Sequence, residues 1–77
     1  MNQAIIENLK IFDDFIQSED WVHLNSIRKE NPEIDVFLTD IMLMFDSVEF
    51  FTSRDSGRAV HESNLLSSRI CDFLGYI

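Results

Sequence analysis

The sequence has few residues that break helices or cross-link chains. Its 77 residues include one proline, two glycines and one cysteine, Cys71. A single cysteine excludes an intramolecular disulfide framework and is typical of a reducing compartment. With no Asn-Gly or Asp-Gly pair between alternating apolar runs, the sequence gives no signal for β-hairpins. These shortages favour one small helical domain over residues 1–77, with no room for a separate catalytic domain.

Basic residues are also scarce. Six Lys and Arg stand against fourteen Asp and Glu, which gives a formal charge of −8 at pH 7. Binding to nucleic-acid phosphates needs clustered basic residues, and so does binding to an anionic membrane surface. The charge balance therefore argues against both as direct partners, and it favours a basic protein as the partner.

Long apolar runs without charge are missing as well. Residues 1–7 lack the basic and then apolar order of a signal peptide. The most apolar segment, residues 34–51, carries Asp35, Asp40, Asp46 and Glu49, and each of these is costly in a bilayer centre. We therefore expect a buried helix in a cytoplasmic protein rather than a membrane span.

Apolar residues recur with the helical period, which predicts four helices. The first should cover residues 4–17, and the second should follow an N-cap at Ser18. The third should begin at Pro32 and run to about residue 51. Residues 52–57, extending as far as 61, are predicted to form a loop. The last helix is expected to begin near residue 63, with Gly75 as its C-terminal cap. The expected fold is an all-α, small compact bundle of about four helices.

The third predicted helix has two apolar faces. Its core face shares one arc and contains Ile34, Phe37, Leu38, Ile41, Met44, Phe45, Val48 and Phe51. On the other side Val36, Leu43 and Phe50 follow each other at seven-residue intervals. This second stripe has two interpretations: either the helix is central and packs on both sides, or the stripe is an interface with an acidic rim.

Charge is concentrated on the same helix. Five acids and no base lie there, namely Glu33, Asp35, Asp40, Asp46 and Glu49. A negative surface keeps small proteins soluble. It also steers a protein toward a cationic partner and selects among partners. Both interpretations stay open at the level of sequence.

Catalytic and metal-binding patterns are lacking. His23, His61 and Cys71 are the only candidate bases or nucleophiles besides carboxylates and hydroxyls, and no known catalytic, zinc or phosphate-loop motif includes them. We expect no enzyme activity, no metal and no cofactor. The two histidines are predicted to be surface or packing residues, Cys71 to be buried or half-buried, and Trp21 to anchor the core.

Residues 34–74 resemble the small immunity proteins that accompany tRNA-cleaving bacteriocins of the colicin D type. The resemblance consists of a long apolar helix over residues 37–49, a polar connector over 54–58 and an amphipathic helix over 65–74. It implies a protein that masks the RNA-binding or active site of a basic toxin domain. Such proteins tend to have an acid-rich connector, whereas here Asp55 and Glu62 stand beside Arg54 and Arg58, so no binding residues are carried over.

The sequence therefore predicts a non-enzymatic acidic inhibitor of a basic protein, most concretely a nuclease toxin. The predicted contact residues combine four acids with three apolar side chains: Asp35, Asp40, Asp46, Glu49, Val36, Leu43 and Phe50. One alternative is a phage-encoded anti-defence protein that mimics nucleic acid. Another is a helical assembly or chaperone-like subunit that forms a homodimer through the second apolar stripe.

Overall fold

Four α-helices make up most of the chain in the computed structural model, which describes residues 2–76. They are α1 (Gln3–Ile16), α2 (Glu19–Ile27), α3 (Pro32–Thr52) and α4 (Ser56–Tyr76), and a 3₁₀ turn (Arg28–Glu30) joins α2 to α3. The all-α prediction is confirmed. No helix within residues 2–76 is long and apolar enough to cross a membrane.

Side-chain caps mark the starts of α1 and α2, and a proline marks the start of α3. The Asn2 side chain accepts a hydrogen bond from the Ala4 amide at 2.7 Å, and Ser18 Oγ accepts one from the Trp21 amide at 3.1 Å. Each bond satisfies a backbone donor that has no partner inside the helix. Pro32 occupies the first turn of α3, where its missing amide hydrogen costs nothing. These starts agree with the sequence predictions to within one residue.

Helix α4 begins at Ser56, so the prediction of a loop up to residue 57 or 61 and a helix start near residue 63 is wrong. Asp55 provides the start, because its carboxylate accepts the Arg58 amide at 3.0 Å. Arg58 then pairs with Glu62 one turn later, at 3.0 Å. The predicted cap Gly75 lies inside α4, and none of the described glycines has a positive φ.

Helix α4 is the central element. Residues 53–55 connect it to α3, against which it packs as an antiparallel hairpin, and it also packs on α1. Asn8 of α1 bonds to Ser63 and Ser67, so these parts of α1 and α4 lie side by side. At one end of the bundle, Phe37 of α3 stacks on Phe73 of α4 with ring centroids 3.9 Å apart. Helices α1, α3 and α4 therefore form a three-helix bundle. Helix α2 packs against α1 and α3.

The core lies between these three helices, and its largest fully buried side chains include Ile5, Leu38, Ile41, Leu66 and Ile70. The predicted core face of α3 is confirmed, since each of its eight side chains is buried or half-buried. Trp21 is half-buried and packs edge-on against Phe15, as the anchor prediction requires. Cys71 is exposed, so the prediction of a buried or half-buried thiol is wrong.

A polar layer crosses the α1–α4 contact. Asn8 donates to Ser63 Oγ at 3.0 Å and accepts a hydrogen bond from Ser67 Oγ at 2.8 Å. Ser63 is fully buried, and its hydroxyl donates to the Val60 carbonyl at 2.9 Å. Because each hydroxyl has a hydrogen-bond partner, burying these polar groups leaves no unsatisfied donor or acceptor that would lower stability. Buried Ala59 precedes Ser63 by four residues, so the three small side chains follow one side of α4.

Candidate partner-binding face of helix α3

The second apolar stripe of α3 is exposed to solvent. Val36, Leu43 and Phe50, called here the α3 stripe, are 59%, 59% and 53% exposed. Residues seven apart are almost two full helical turns apart, so the three side chains lie along one line. The core contacts of α3 use the opposite side of the helix. The interpretation that α3 packs on two sides is therefore wrong, and the interface interpretation stays a prediction.

The structure separates the four acids that were predicted to surround this stripe. Asp35 is already paired, because Arg28 Nε donates to its Oδ1 at 2.7 Å. The same guanidinium donates to Thr39 Oγ1 and to Asn25 Oδ1, each at 3.1 Å. Arg28 thus fastens the connection between α2 and α3 onto the outer surface of α3. It also neutralises one of the five acids of this helix.

Asp40 has a weaker partner on α4. Its Oδ2 lies 3.9 Å from Arg69 Nη1, and both side chains are about half exposed. An exposed pair at this distance contributes little to stability, because water and salt screen it. Asp40 can therefore exchange Arg69 for another cation at small cost.

Asp46 has the position that the interface interpretation needs. It lies three residues after Leu43 and four before Phe50, so it is next to both on the helix surface. Asp46 and Glu49 are exposed and form no ion pair within residues 2–76. Glu49 directly precedes Phe50 and therefore points about 100° away from it, onto the flank of α3. Asp46 is thus the carboxylate that combines closeness to the stripe with freedom from internal pairing in the described chain.

A basic group that the sequence analysis missed closes the C-terminal end of the stripe. The Arg54 guanidinium lies 4.2 Å from the centre of the Phe50 ring, and its Nη1 donates to the Phe50 carbonyl at 2.7 Å. Phe50 also packs edge-on against Phe51, over whose ring Arg58 lies at 4.9 Å. The spacing of four between Phe50 and Arg54 is a signal that could have revealed this contact. The pairing of Arg28 and Arg69 with α3 has no such local signal.

Charged groups therefore flank the apolar α3 stripe in a defined order along the helix. Arg28 from the α2–α3 connection pairs with Asp35 near its start, Asp46 lies beside its middle, and Arg54 lies over one face of the Phe50 ring at its end. Within residues 2–76, no group of three or more His, Cys, Asp or Glu side chains could hold a metal ion. The chemistry that this face offers is burial of apolar surface together with charge pairing.

Comparison with known proteins supplies no assignment for this arrangement. No protein-family model matches the chain, and no curated protein or solved structure shows significant similarity to it. The resemblance of residues 34–74 to bacteriocin immunity proteins therefore stays a prediction.

Proposed function

We propose that this chain is a non-catalytic binding protein that covers a basic surface of a protein partner, most concretely a nuclease toxin. The observation that carries the proposal is the exposed α3 stripe beside Asp46, a carboxylate without an ion pair in the described part of the chain. An apolar centre with a polar rim is the usual composition of a protein interface. The excess of acids supplies the complementary charge for a basic surface.

In the proposed inhibition, the chain covers the substrate-binding site of the nuclease. A nuclease holds its substrate by contacts between basic side chains and phosphates, so its substrate site is cationic. The net charge of −8 steers the chain toward such a site and speeds encounter. Asp46 then pairs with a cation that would otherwise contact phosphate, and the α3 stripe excludes water around that pair. The opposite side of α3 is packed in the core, so the helix presents these groups in an already folded element, which lowers the ordering cost of binding.

The main rival is self-association through the same stripe, and the positions of the acids argue against it. If two α3 helices met antiparallel at Leu43, Asp46 of each copy would lie at the same level of the contact as Asp40 of the other, because these residues are three positions on either side of Leu43. In a parallel pair the two copies of Asp46 would lie at the same level. Like charges brought close together across an interface cost up to about several kcal/mol.

We therefore expect the isolated protein to sediment as a monomer of 9.0 kDa at low salt, where repulsion between acids is strongest. Analytical ultracentrifugation over a range of protein and salt concentrations measures this directly. A stable dimer that Leu43→Glu dissociates would contradict the proposal and support the assembly alternative.

Leu43→Glu also tests the proposal through the partner. Tagged parent and variant chains are used to capture proteins from the lysate of the source organism at low salt. The parent is expected to retain a basic protein that added RNA displaces, since the proposal places α3 on an RNA-binding surface. The variant should lose that protein, because a carboxylate in the apolar centre leaves a desolvated charge there.

The matched control is Leu65→Glu, which adds the same charge at another exposed leucine, on α4. Capture by net charge alone would be retained or strengthened in both variants, because each is more acidic than the parent. Capture through the α3 face would be lost only in Leu43→Glu. Equal behaviour of the two variants would therefore overturn the assignment of the binding face.

A further inference from the structure

A pocket lies on a different part of the molecule from the α3 stripe. It is formed between the end of α1, the start of α2 and the C-terminal half of α4, and its volume is about 230 Å³. Ile11, Phe15, Ile70 and Leu74 make its walls mainly apolar. Drug-sized ligands occupy pockets of roughly 300–1,000 Å³. This pocket is smaller, and its volume suits a fragment with one ring or a short alkyl chain.

The polar groups at the pocket are almost all hydrogen-bond acceptors. Asp14 from α1 and Asp20 from α2 both line it, and both are exposed carboxylates without an ion pair among residues 2–76. The Ser18 hydroxyl is already engaged, since it donates to the Phe15 carbonyl at 2.6 Å and accepts from the Trp21 amide. No Lys or Arg is among the described residues that line the pocket.

We propose that this pocket binds a small organic cation with an aromatic or alkyl body and an amidinium or ammonium group. The apolar walls favour the body of such a ligand, because its surface is removed from water. Two carboxylates from two helices favour the cationic head through charge-assisted hydrogen bonds. An anion would be repelled by the same carboxylates, and a neutral compound would lose the charge term. The proposal is independent of the proposed function, because the pocket shares no lining residue with α3.

The chain contains its own reporter for occupancy. Cys71 lines the pocket, is exposed and is the only cysteine in the sequence. A ligand in the pocket therefore shields the thiol from alkylation. We would measure the rate at which iodoacetamide modifies the full chain, by mass spectrometry, in the presence of increasing benzamidine. The rate should fall by about three-fold at a concentration of twice Kd, because modification then requires the unoccupied form.

Benzamide and benzoate separate the charge term from simple apolar binding, since they have the same ring with a neutral or an anionic group. Neither is expected to slow alkylation at concentrations where benzamidine does. Equal protection by benzamide would overturn the proposal, because the pocket would then be an apolar cavity without preference for a cation. Absence of protection by benzamidine would overturn it as well.

A pair of variants ties the result to the two carboxylates. The double variant Asp14→Asn/Asp20→Asn is expected to abolish protection by benzamidine, whereas Asp13→Asn with Glu19→Asn, which removes two exposed acids outside the lining, is expected to keep it. Each rate is compared with that of the same variant without ligand, so a change in thiol reactivity cancels. Protection that persists in the Asp14/Asp20 variant would overturn the assignment of the cation site.

Discussion

Leu38→Ala is expected to destabilise the protein by about 2–5 kcal/mol, the usual range for a buried leucine whose removal leaves a cavity. Leu38 is fully buried in the core between α3 and its neighbours. The total free energy of unfolding of a protein is only about 5–15 kcal/mol. A small domain buries a smaller fraction of its surface, so it has little stability to lose. Urea unfolding followed by circular dichroism measures the change as a shift of the midpoint at unchanged slope.

Leu43→Ala is the matched control, since it makes the same change on the same helix at a residue that is 59% exposed. The change in helix propensity is the same for both variants, so only the burial of the side chain differs. We expect Leu43→Ala to stay within about 0.5 kcal/mol of the parent. A cost equal to that of Leu38→Ala would show that the α3 stripe is packed in solution, and the α3 face would then be unavailable to a partner.

The core face of α3 could be predicted from the sequence because α3 is long and its large apolar side chains repeat at the helical period. A helix of 21 residues repeats this pattern over almost six turns, so the direction of the core is well determined. The same arithmetic placed Val36, Leu43 and Phe50 on the opposite side. The pattern could not show whether another helix covers them, because that depends on the packing order of the bundle. In the structure α4, rather than α3, has the central position.

The start of α4 could not be predicted from large apolar residues because, among the described residues before Leu66, only Val60 packs against the core, and one such residue sets no helical period. The buried residues of its first turns are the small Ala59 and Ser63, and Ser63 accepts a hydrogen bond from Asn8 of α1. The periodicity of large apolar side chains gives no helix signal where the buried positions hold small ones. The signals that were present are local and polar, namely the cap at Asp55 and the pair of Arg58 with Glu62.

The candidate site was predicted only in part, because charges can be counted along a sequence but their pairing depends on the fold. Counting gave α3 five acids and no base. Folding brings Arg28 to Asp35 and Arg69 toward Asp40, and each base comes from outside α3. The acidic character beside the α3 stripe is thereby concentrated at Asp46. The test of the proposed function should therefore focus on this residue rather than on all acids of the helix.

Asp46→Lys is expected to weaken binding of the captured partner by about 2–5 kcal/mol, the range for losing a hydrogen-bonded charge contact in a buried interface. That corresponds to a rise in Kd of about 30-fold or more. The new lysine would face a basic surface, while the apolar contacts of Leu43 and Phe50 would remain. Surface plasmon resonance at several salt concentrations measures Kd and both rate constants. The affinity that remains should depend less on salt, because one ion pair is lost.

Glu7→Lys is the control for net charge. Glu7 is an exposed acid on α1, and its replacement changes the formal charge from −8 to −6, as Asp46→Lys does. Steering depends on the summed charge, so both variants should slow association to a similar, modest extent. Dissociation depends on contacts inside the interface, so it should accelerate only in Asp46→Lys. If Glu7→Lys accelerates dissociation as strongly, the partner does not lie on α3, and the acidic surface of this chain acts through its total charge alone.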